Sequence, residues 1–360
     1  MRKDCEGMQR LMLLLMLVSI DCLSQPEVPD WKPPVTSFAI PEQLQLCGED
    51  IPLERQDVRE RLEREFYYTL DKEGQISLYI KRAARCQPVV EELLEEAGVP
   101  LDLKYVPVAE SGLVFRARSN AGAAGYWQFM KGTAQRYGLR VDRYVDERRD
   151  LVRSTKAAIK YLKDLRAEFG SWALALAAYN WGERSVAQSV EEQGVSSYFD
   201  LYVPDETDRF VFRIAVLKLL LDNPQGHAIY VSEDDLYRQP EIESTTVSSP
   251  SWLSIDVLSE AAGVPPRTFR FLNEWMNAGS LPAGEYVFSI PKGNAEGYAE
   301  KIIHMMKEKG SVVHVVQRGE HLTYIAKKYG VTVSDIERWN NISRHRPILP
   351  GQKLVIMGGR

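Results

Sequence analysis

Glu110 is the side chain that its neighbours best suit to acid or base work. It ends the mostly apolar run Val99-Pro-Leu-Asp-Leu-Lys-Tyr-Val-Pro-Val-Ala-Glu110, and Ser111 and Gly112 follow it. With Leu103–Glu110 read as a helix, the carboxylate falls at the C-terminal end, where the macrodipole opposes negative charge. Val106, Val108 and Ala109 would also strip water from it. Both effects favour the protonated form and raise the pKa, as general acid work near neutral pH requires. Taken alone, the residue fits an ordinary surface glutamate equally well. Its company decides between the two.

Two stretches keep it company. Ala117-Arg-Ser-Asn-Ala-Gly-Ala-Ala-Gly-Tyr-Trp-Gln-Phe-Met130 is dense in small residues, and Gly122 and Gly125 would permit close backbone approach. Ala173-Leu-Ala-Leu-Ala-Ala-Tyr-Asn180 reads as a tightly packed helix ending at Gly182, and between them Ser154 reads as the cap of a helix through Lys156–Leu162. Separately, each is structural. Other chemistries find little support: the five histidines begin at His227, far from either cysteine of the body, and neither HExxH nor CxxC spacing occurs. No metal ligand set and no organic cofactor are expected.

Together the stretches resemble a family. Ala109-Glu-Ser-Gly112, Gly125-Tyr-Trp-Gln-Phe-Met130 and Ala177-Ala-Tyr-Asn180 look like the three signature motifs of lytic transglycosylases with a goose-type-lysozyme-like catalytic domain. The likeness continues through Asp146-Glu-Arg-Arg-Asp150 and Leu201-Tyr-Val-Pro-Asp-Glu-Thr-Asp-Arg209, spans about residues 60–230, and is closest to the branch called membrane-bound lytic murein transglycosylase D. It implies a mainly α lysozyme-like catalytic domain in which Glu110 is the acid/base. Ser119, Gln128, Met130 and Tyr179 fall on positions lining the sugar subsites, and Asn180 on the position that steadies them. The two glycines would then admit a sugar chain. Lys131 and Trp181 depart from the family pattern. The resemblance implies cleavage of the bond between N-acetylmuramic acid and N-acetylglucosamine, with closure of a 1,6-anhydro ring. A hydrolytic muramidase, with Asp142, Asp146 or Glu147 as second carboxylate, and a non-catalytic binding scaffold are the alternatives.

The elements that position these residues are helical from near Arg55 to about Leu221, with a segment at Ile76–Arg85 and a charged helix around Pro88–Ala97; strand-like runs appear only after residue 240. Arg2, Lys3 and Arg10 precede the apolar run Leu11–Ile20, an export signal with cleavage after Ser24; Asp21 disfavours lipidation at Cys22, the rival that would anchor the chain to a membrane. Residues 25–50 read as a proline-rich tether and 51–235 as the catalytic domain. No later stretch is apolar enough to cross a membrane. An exported chain meets an oxidising compartment, so Cys47 and Cys86 are expected to pair. Periplasm or cell envelope is the expected location.

Two C-terminal segments repeat each other. Gly263-Val264 matches Gly330-Val331, Asn273 matches Asn340, and Gly284 matches Gly351, always 67 residues apart. Two small β-α-α-β units, 244–296 and 312–357, account for this. The second, with Arg318-Gly-Glu-His-Leu322, Trp339-Asn-Asn341 and Leu349-Pro-Gly-Gln-Lys-Leu354, resembles a LysM module. That implies N-acetylglucosamine-containing glycan held between Gly319, Glu320, His321 and Leu349, Pro350, Gly351. The first copy lacks the Arg-Gly-Glu loop and reads as structural. Eight Lys/Arg against three Asp/Glu leave the last 49 residues at +5, while the chain carries −5 overall. Nucleic acid is thus no expected partner, and peptidoglycan strands are.

Overall fold

A computed structural model of the protein describes residues 40–309, 311–340, 342 and 347–357. The export signal and the tether up to residue 39 lie outside the described residues. The chain enters through a hairpin, β1 (Leu44–Leu46) and β2 (Glu49–Ile51), whose Leu44, Leu46 and Ile51 are buried. These strands belong to the body, where the sequence suggested tether and no strand before residue 240. Three-residue strands are too short to show alternation.

Helices follow: α1 (Gln56–Leu70), α2 (Glu73–Glu96), the short α3 (Val106–Ser111), α4 (Lys131–Arg136), α5 (Leu151–Phe169), α6 (Trp172–Trp181), α7 (Glu183–Gln193) and α8 (Asp205–Asp222). The two segments expected on either side of Arg85 are one helix, α2, which runs through Pro88. Helix α5 buries Ser154, Ala157, Ala158, Tyr161, Leu162 and Leu165, a stripe at three- and four-residue steps. Its cap is Asp150, whose carboxylate accepts from Arg153 N at 2.8 Å; Ser154 sits inside the first turns and is fully buried. Asp150 stands directly before the helix, and capping takes a side chain at that position, not four residues later.

At the centre lies α6. Leu174, Ala175, Leu176, Ala177 and Ala178 are all buried, and the small size of the three alanines lets α5 and α8 pack on it closely. Its N-terminus is capped twice. Glu49 of the hairpin accepts from Trp172 N at 2.8 Å, and Ser171 Oγ from Leu174 N at 3.2 Å. Helix α8 is tied to α1 through buried Glu65, which accepts from Arg209 Nε at 2.7 Å and Arg213 Nε at 3.2 Å.

The repeat is structural. In the first copy β3 (Ile242–Ser249) pairs antiparallel with β6 (Gly284–Pro291), around α9 (Ile255–Ala261) and α10 (Pro266–Leu272). Inside it the two-residue strands β4 (Leu253–Ser254) and β5 (Ser280–Leu281) also pair. After α11 (Tyr298–Lys309) the second copy pairs β7 (Ser311–Val315) with β8 (Lys353–Met357), around α12 (Leu322–Tyr329) and α13 (Val333–Asn340). The matched asparagines do the same work. Asn273 donates to Phe269 O and Ser289 O and accepts from Ser289 N; Asn340 donates to Ile336 O and Val355 O and accepts from Val355 N. Each pins the end of the second helix to the closing strand.

One apolar core runs through both copies and reaches Val145 of the helical body. Where the copies meet, Trp339 Nε1 donates to Asp256 at 2.9 Å and Ser280 Oγ to the Trp339 carbonyl. Gly279 makes that approach possible, since a Cβ there would lie 1.9 Å from the Arg338 carbonyl oxygen. The first copy also abuts the body: Asp146 N donates to Trp275 O and Asn277 N to Tyr144 O, both at 2.9 Å. Asn340→Ala would leave the polar groups of buried Val355 unsatisfied, so stability should fall by about 2–3 kcal/mol. Denaturant unfolding checks this; a loss below about 0.5 kcal/mol would show that the asparagine does not hold the strand.

Candidate active site

A 3₁₀ turn, Leu101–Tyr105, runs into α3, and Glu110 is its penultimate residue. Gly112 ends the helix in the left-handed conformation, φ 57°. Ser111 Oγ lies 2.9 Å from Pro107 O and 2.7 Å from Tyr126 O, and donates to one or the other. The end of α3 is thereby set against the loop that carries Tyr126, Trp127 and Gln128. Glu110 is half-buried, and desolvation pushes its carboxyl up to about 8; Arg213 pulls the other way and Glu206 adds to the rise. A group with such a pKa holds its proton at neutral pH and is ready to give it up.

Tyr179 of α6 is brought to the same place. Its hydroxyl donates to Trp127 O at 2.7 Å, and its own pKa is raised well above normal, by burial first and by the Glu110 charge second. Trp127 is fully buried, and its Nε1 donates to Thr155 Oγ1 of α5 at 2.9 Å. Asn180 accepts from Thr207 Oγ1 at 2.9 Å, which joins the end of α6 to the start of α8. Gln128 adopts φ 46°, and its amide donates to Gly125 O at 2.8 Å and Ala117 O at 3.2 Å. Its nitrogen therefore steadies its own loop, and its carbonyl oxygen takes no part in those bonds. Ser119 is exposed and accepts from Ala123 N at 3.0 Å, and Met130 is 47% exposed at the start of α4.

Gly125 serves a different approach from the one expected. A Cβ there would lie 1.8 Å from the Arg148 carbonyl oxygen, so the close contact is with the protein's own backbone. Gly122, at φ 93°, makes the turn and has no atom within 4 Å of a notional Cβ. Arg148, which the sequence reading passed over, holds the loop. Buried with Asp146 in a two-pronged ion pair at 2.8 and 2.9 Å, it also donates to Gly122 O and Phe129 O. Asp146 is thus a structural anion. Asp142 accepts from Tyr144 N, Val145 N and Arg140 Nε, and Glu147 from Arg140 N. All three alternative carboxylates are committed to their own segment.

Cys47 and Cys86 are free, buried thiols, so the expected bridge does not form. Their surroundings differ: Asp102, Glu49 and Lys218 bear on Cys47, and Arg85, Glu274 and Arg82 on Cys86, with burial pushing both thiols up. An even cysteine count carries no information about distance.

In the second copy Gly351 N donates to Val316 O at 2.8 Å and Val316 N to Gln352 O at 2.9 Å, which sets the loops holding Gly319–His321 and Leu349–Gly351 together. Leu349 is 64% exposed, and His321, Pro350, Gly319 and Gly351 are exposed. Glu320 faces inward: it accepts from Gln317 N at 2.7 Å and lies 2.7 Å from His314 Nε2. In the first copy the equivalent loops are zipped together, Leu253 with Leu281 and Ser254 with Ser280, and both leucines are fully buried.

The body is mainly helical, carries a desolvated glutamate at the tip of a short helix and is followed by small β-α-α-β units, and its SLT-domain match makes it lysozyme-like in class. Residues 90–200 match the transglycosylase SLT domain and residues 314–356 the LysM domain, so the chain is lytic-transglycosylase-like in its domain content. Membrane-bound lytic murein transglycosylase D of Escherichia coli is 29% identical over 284 residues, 74% of this chain and 62% of that protein. This chain thus spans less than two thirds of that relative's length. A protein of Alteromonas sp. named putative tributyltin chloride resistance protein is 32% identical over 114 residues, 30% of this chain and 55% of its own. The X-ray structure of an inactive mutant of lytic transglycosylase Slt from Pseudomonas aeruginosa shares 21% identity over 42% of this chain and 26% of that one; its TM-score of 0.32 is too low to carry an argument. Among the described residues no helix is long and apolar enough to cross a membrane.

The raised pKa of Glu110 has a sign for stability. Between its ordinary value of 4.5 and about 8 the folded chain holds a proton that the unfolded chain has released. Stability from this site is therefore full below pH 4.5 and declines as pH rises towards 8. Relative to Glu110→Gln, the parent should lose roughly 3–4 kcal/mol between pH 5 and 8. Denaturant unfolding of both proteins across that range measures it, and parallel curves would mean that the carboxyl is not desolvated.

Proposed function

We propose that the protein is a peptidoglycan lytic transglycosylase of the cell envelope, with Glu110 as its single acid/base. The observation that carries the reading is a carboxyl desolvated enough to hold its proton at neutral pH, while Asp142, Asp146 and Glu147 are each tied into local bonds. The SLT domain and the similarity to a murein transglycosylase support the substrate class. Most glycosidases need a second carboxylate; one is enough where the substrate supplies the nucleophile. Glu110 protonates the glycosidic oxygen between N-acetylmuramic acid and N-acetylglucosamine, the β-1,4 bond breaks, and the acetamido group of muramic acid stabilises the developing positive charge. Glu110, now carboxylate, takes the proton from the C6 hydroxyl, whose oxygen attacks C1 and closes the 1,6-anhydro ring. A nucleophile tethered to the same sugar reacts as though at very high effective concentration.

In this reading Ser119, Met130 and the carbonyl of Gln128 line the sugar subsites, Tyr179 contacts the sugar beside the acid, and Asn180 fixes the end of α6. Glu110→Gln keeps the shape but removes the transferable proton, so release of anhydro-muropeptides should fall by roughly 10²–10⁴. Product mass spectrometry reads this. Undiminished release would remove Glu110 from the mechanism, and reducing-end muramic acid from the parent enzyme would make it a hydrolase.

The second copy is the glycan-holding module and the first a structural adapter, since only the second keeps two separate facing loops. In the full-length Glu110→Gln background, Leu349→Glu should weaken sedimentation with purified peptidoglycan severalfold. Val287→Glu, at an exposed site of the first copy, should not. Equal effects would overturn this division.

A further inference from the structure

A pocket of about 290 Å³ opens between the α1–α2 hairpin and α8. Ala109, next to Glu110 in the chain, forms part of its wall, as does Arg213, whose charge bears on the Glu110 carboxyl. The pocket is therefore beside the acid. Its other wall comes from Tyr68, Lys72, Gln75 and Tyr79, which precede the SLT match at residue 90.

The charges in the pocket are unequally satisfied. Arg209 and Arg213 share Glu65, and Arg213 also pairs with Glu206 at 3.0 Å. Lys72 is exposed and has no carboxylate within ion-pair distance among the described residues. Its Nζ stands 4.0 Å from the centroid of the Tyr68 ring, and the Arg209 guanidinium 4.4 Å from the same centroid. Lys72 first, then Arg209, hold the Tyr68 hydroxyl below its usual range. The pocket thus offers a counter-ion-free ammonium and a half-exposed ring, with the Gln75 amide nitrogen donating to the Tyr79 hydroxyl, which suits an anionic group better than a neutral sugar. On the proposed substrate the anionic group nearest the bond to be cut is the arm on C3 of muramic acid. It ends in the lactyl carboxylate when bare and in peptide carboxylates when substituted.

Resting on the transglycosylase reading, we infer that this pocket binds the carboxylate-bearing arm of the muramic acid beside the scissile bond, with Lys72 as its counter-ion and Tyr68 as the surface it packs on. The α1–α2 hairpin is then part of the substrate site. It contributes recognition of the arm, while the SLT region contributes the acid.

Lys72→Met, Tyr68→Leu and the charge-keeping Lys72→Arg test this in the full-length enzyme. Anhydro ends would be counted on peptide-bearing strands and on strands stripped by an amidase. Binding of a disaccharide-pentapeptide and of an N-acetylglucosamine tetramer would be measured by calorimetry in the Glu110→Gln background. Both Lys72→Met and Tyr68→Leu should raise KM at least about fivefold on one strand type, with kcat changed far less, and Lys72→Arg should restore it. Selective loss on peptide-bearing strands names the peptide carboxylates as the occupant; selective loss on stripped strands names the lactyl carboxylate. Equal loss on both strands, equal loss of tetramer binding, or no change overturns the inference. Absence of anhydro ends from the parent on either strand would instead refute the activity, and the binding comparison would still judge the pocket.

Discussion

A carboxyl that keeps its proton at neutral pH requires that water be withheld and that nearby cations be otherwise engaged. The arrangement around Glu110 depends on meeting both conditions at once. Burial at the end of α3 withholds the water. Arg213 is close enough to pull the pKa down, but Glu65 and Glu206 share its charge, and Glu65 is itself buried between two arginines. The same ion cluster that staples α1 to α8 therefore also limits how far Arg213 lowers the Glu110 pKa. Structural and chemical roles coincide in one network.

Around the acid, position is set mainly through backbone carbonyls. Ser111 reaches Tyr126 O, Tyr179 reaches Trp127 O, and Arg148 reaches Gly122 O and Phe129 O. Three separate elements thus hold one loop by its main chain. Arg148 can do this because Asp146 balances its charge where both side chains are buried. The first repeat copy then closes over the far side of this region through Trp275, Asn277 and Tyr126–Glu274. It carries a β4–β5 ladder and two docking faces, one for the body and one for its sibling.

Much of this was legible in the residues. The motif around Glu110 carries its own desolvation, because apolar neighbours and a helix end are local properties. The 67-residue repeat was legible because the same asparagine must pin the same strand in each copy. The helical body, with its 3.6-residue periodicity, could be read as far as α8.

What the sequence could not carry were relations between residues distant along the chain. Cys47 and Cys86 invite pairing on paper, yet each is buried among different charged groups. Gly125 looked like room for a ligand and is instead room for the Arg148 carbonyl. Asp146 was a candidate carboxylate until its buried partner came into view, and the pocket that Lys72 lines exists only because α8 places Arg209 and Arg213 opposite it. Sequence by itself determined local chemistry: which side chains are acidic, which segments are helical, which repeat. Tertiary structure alone decided which charges meet, because ion pairing and desolvation fall off within a few ångströms and no spacing along the chain encodes that distance.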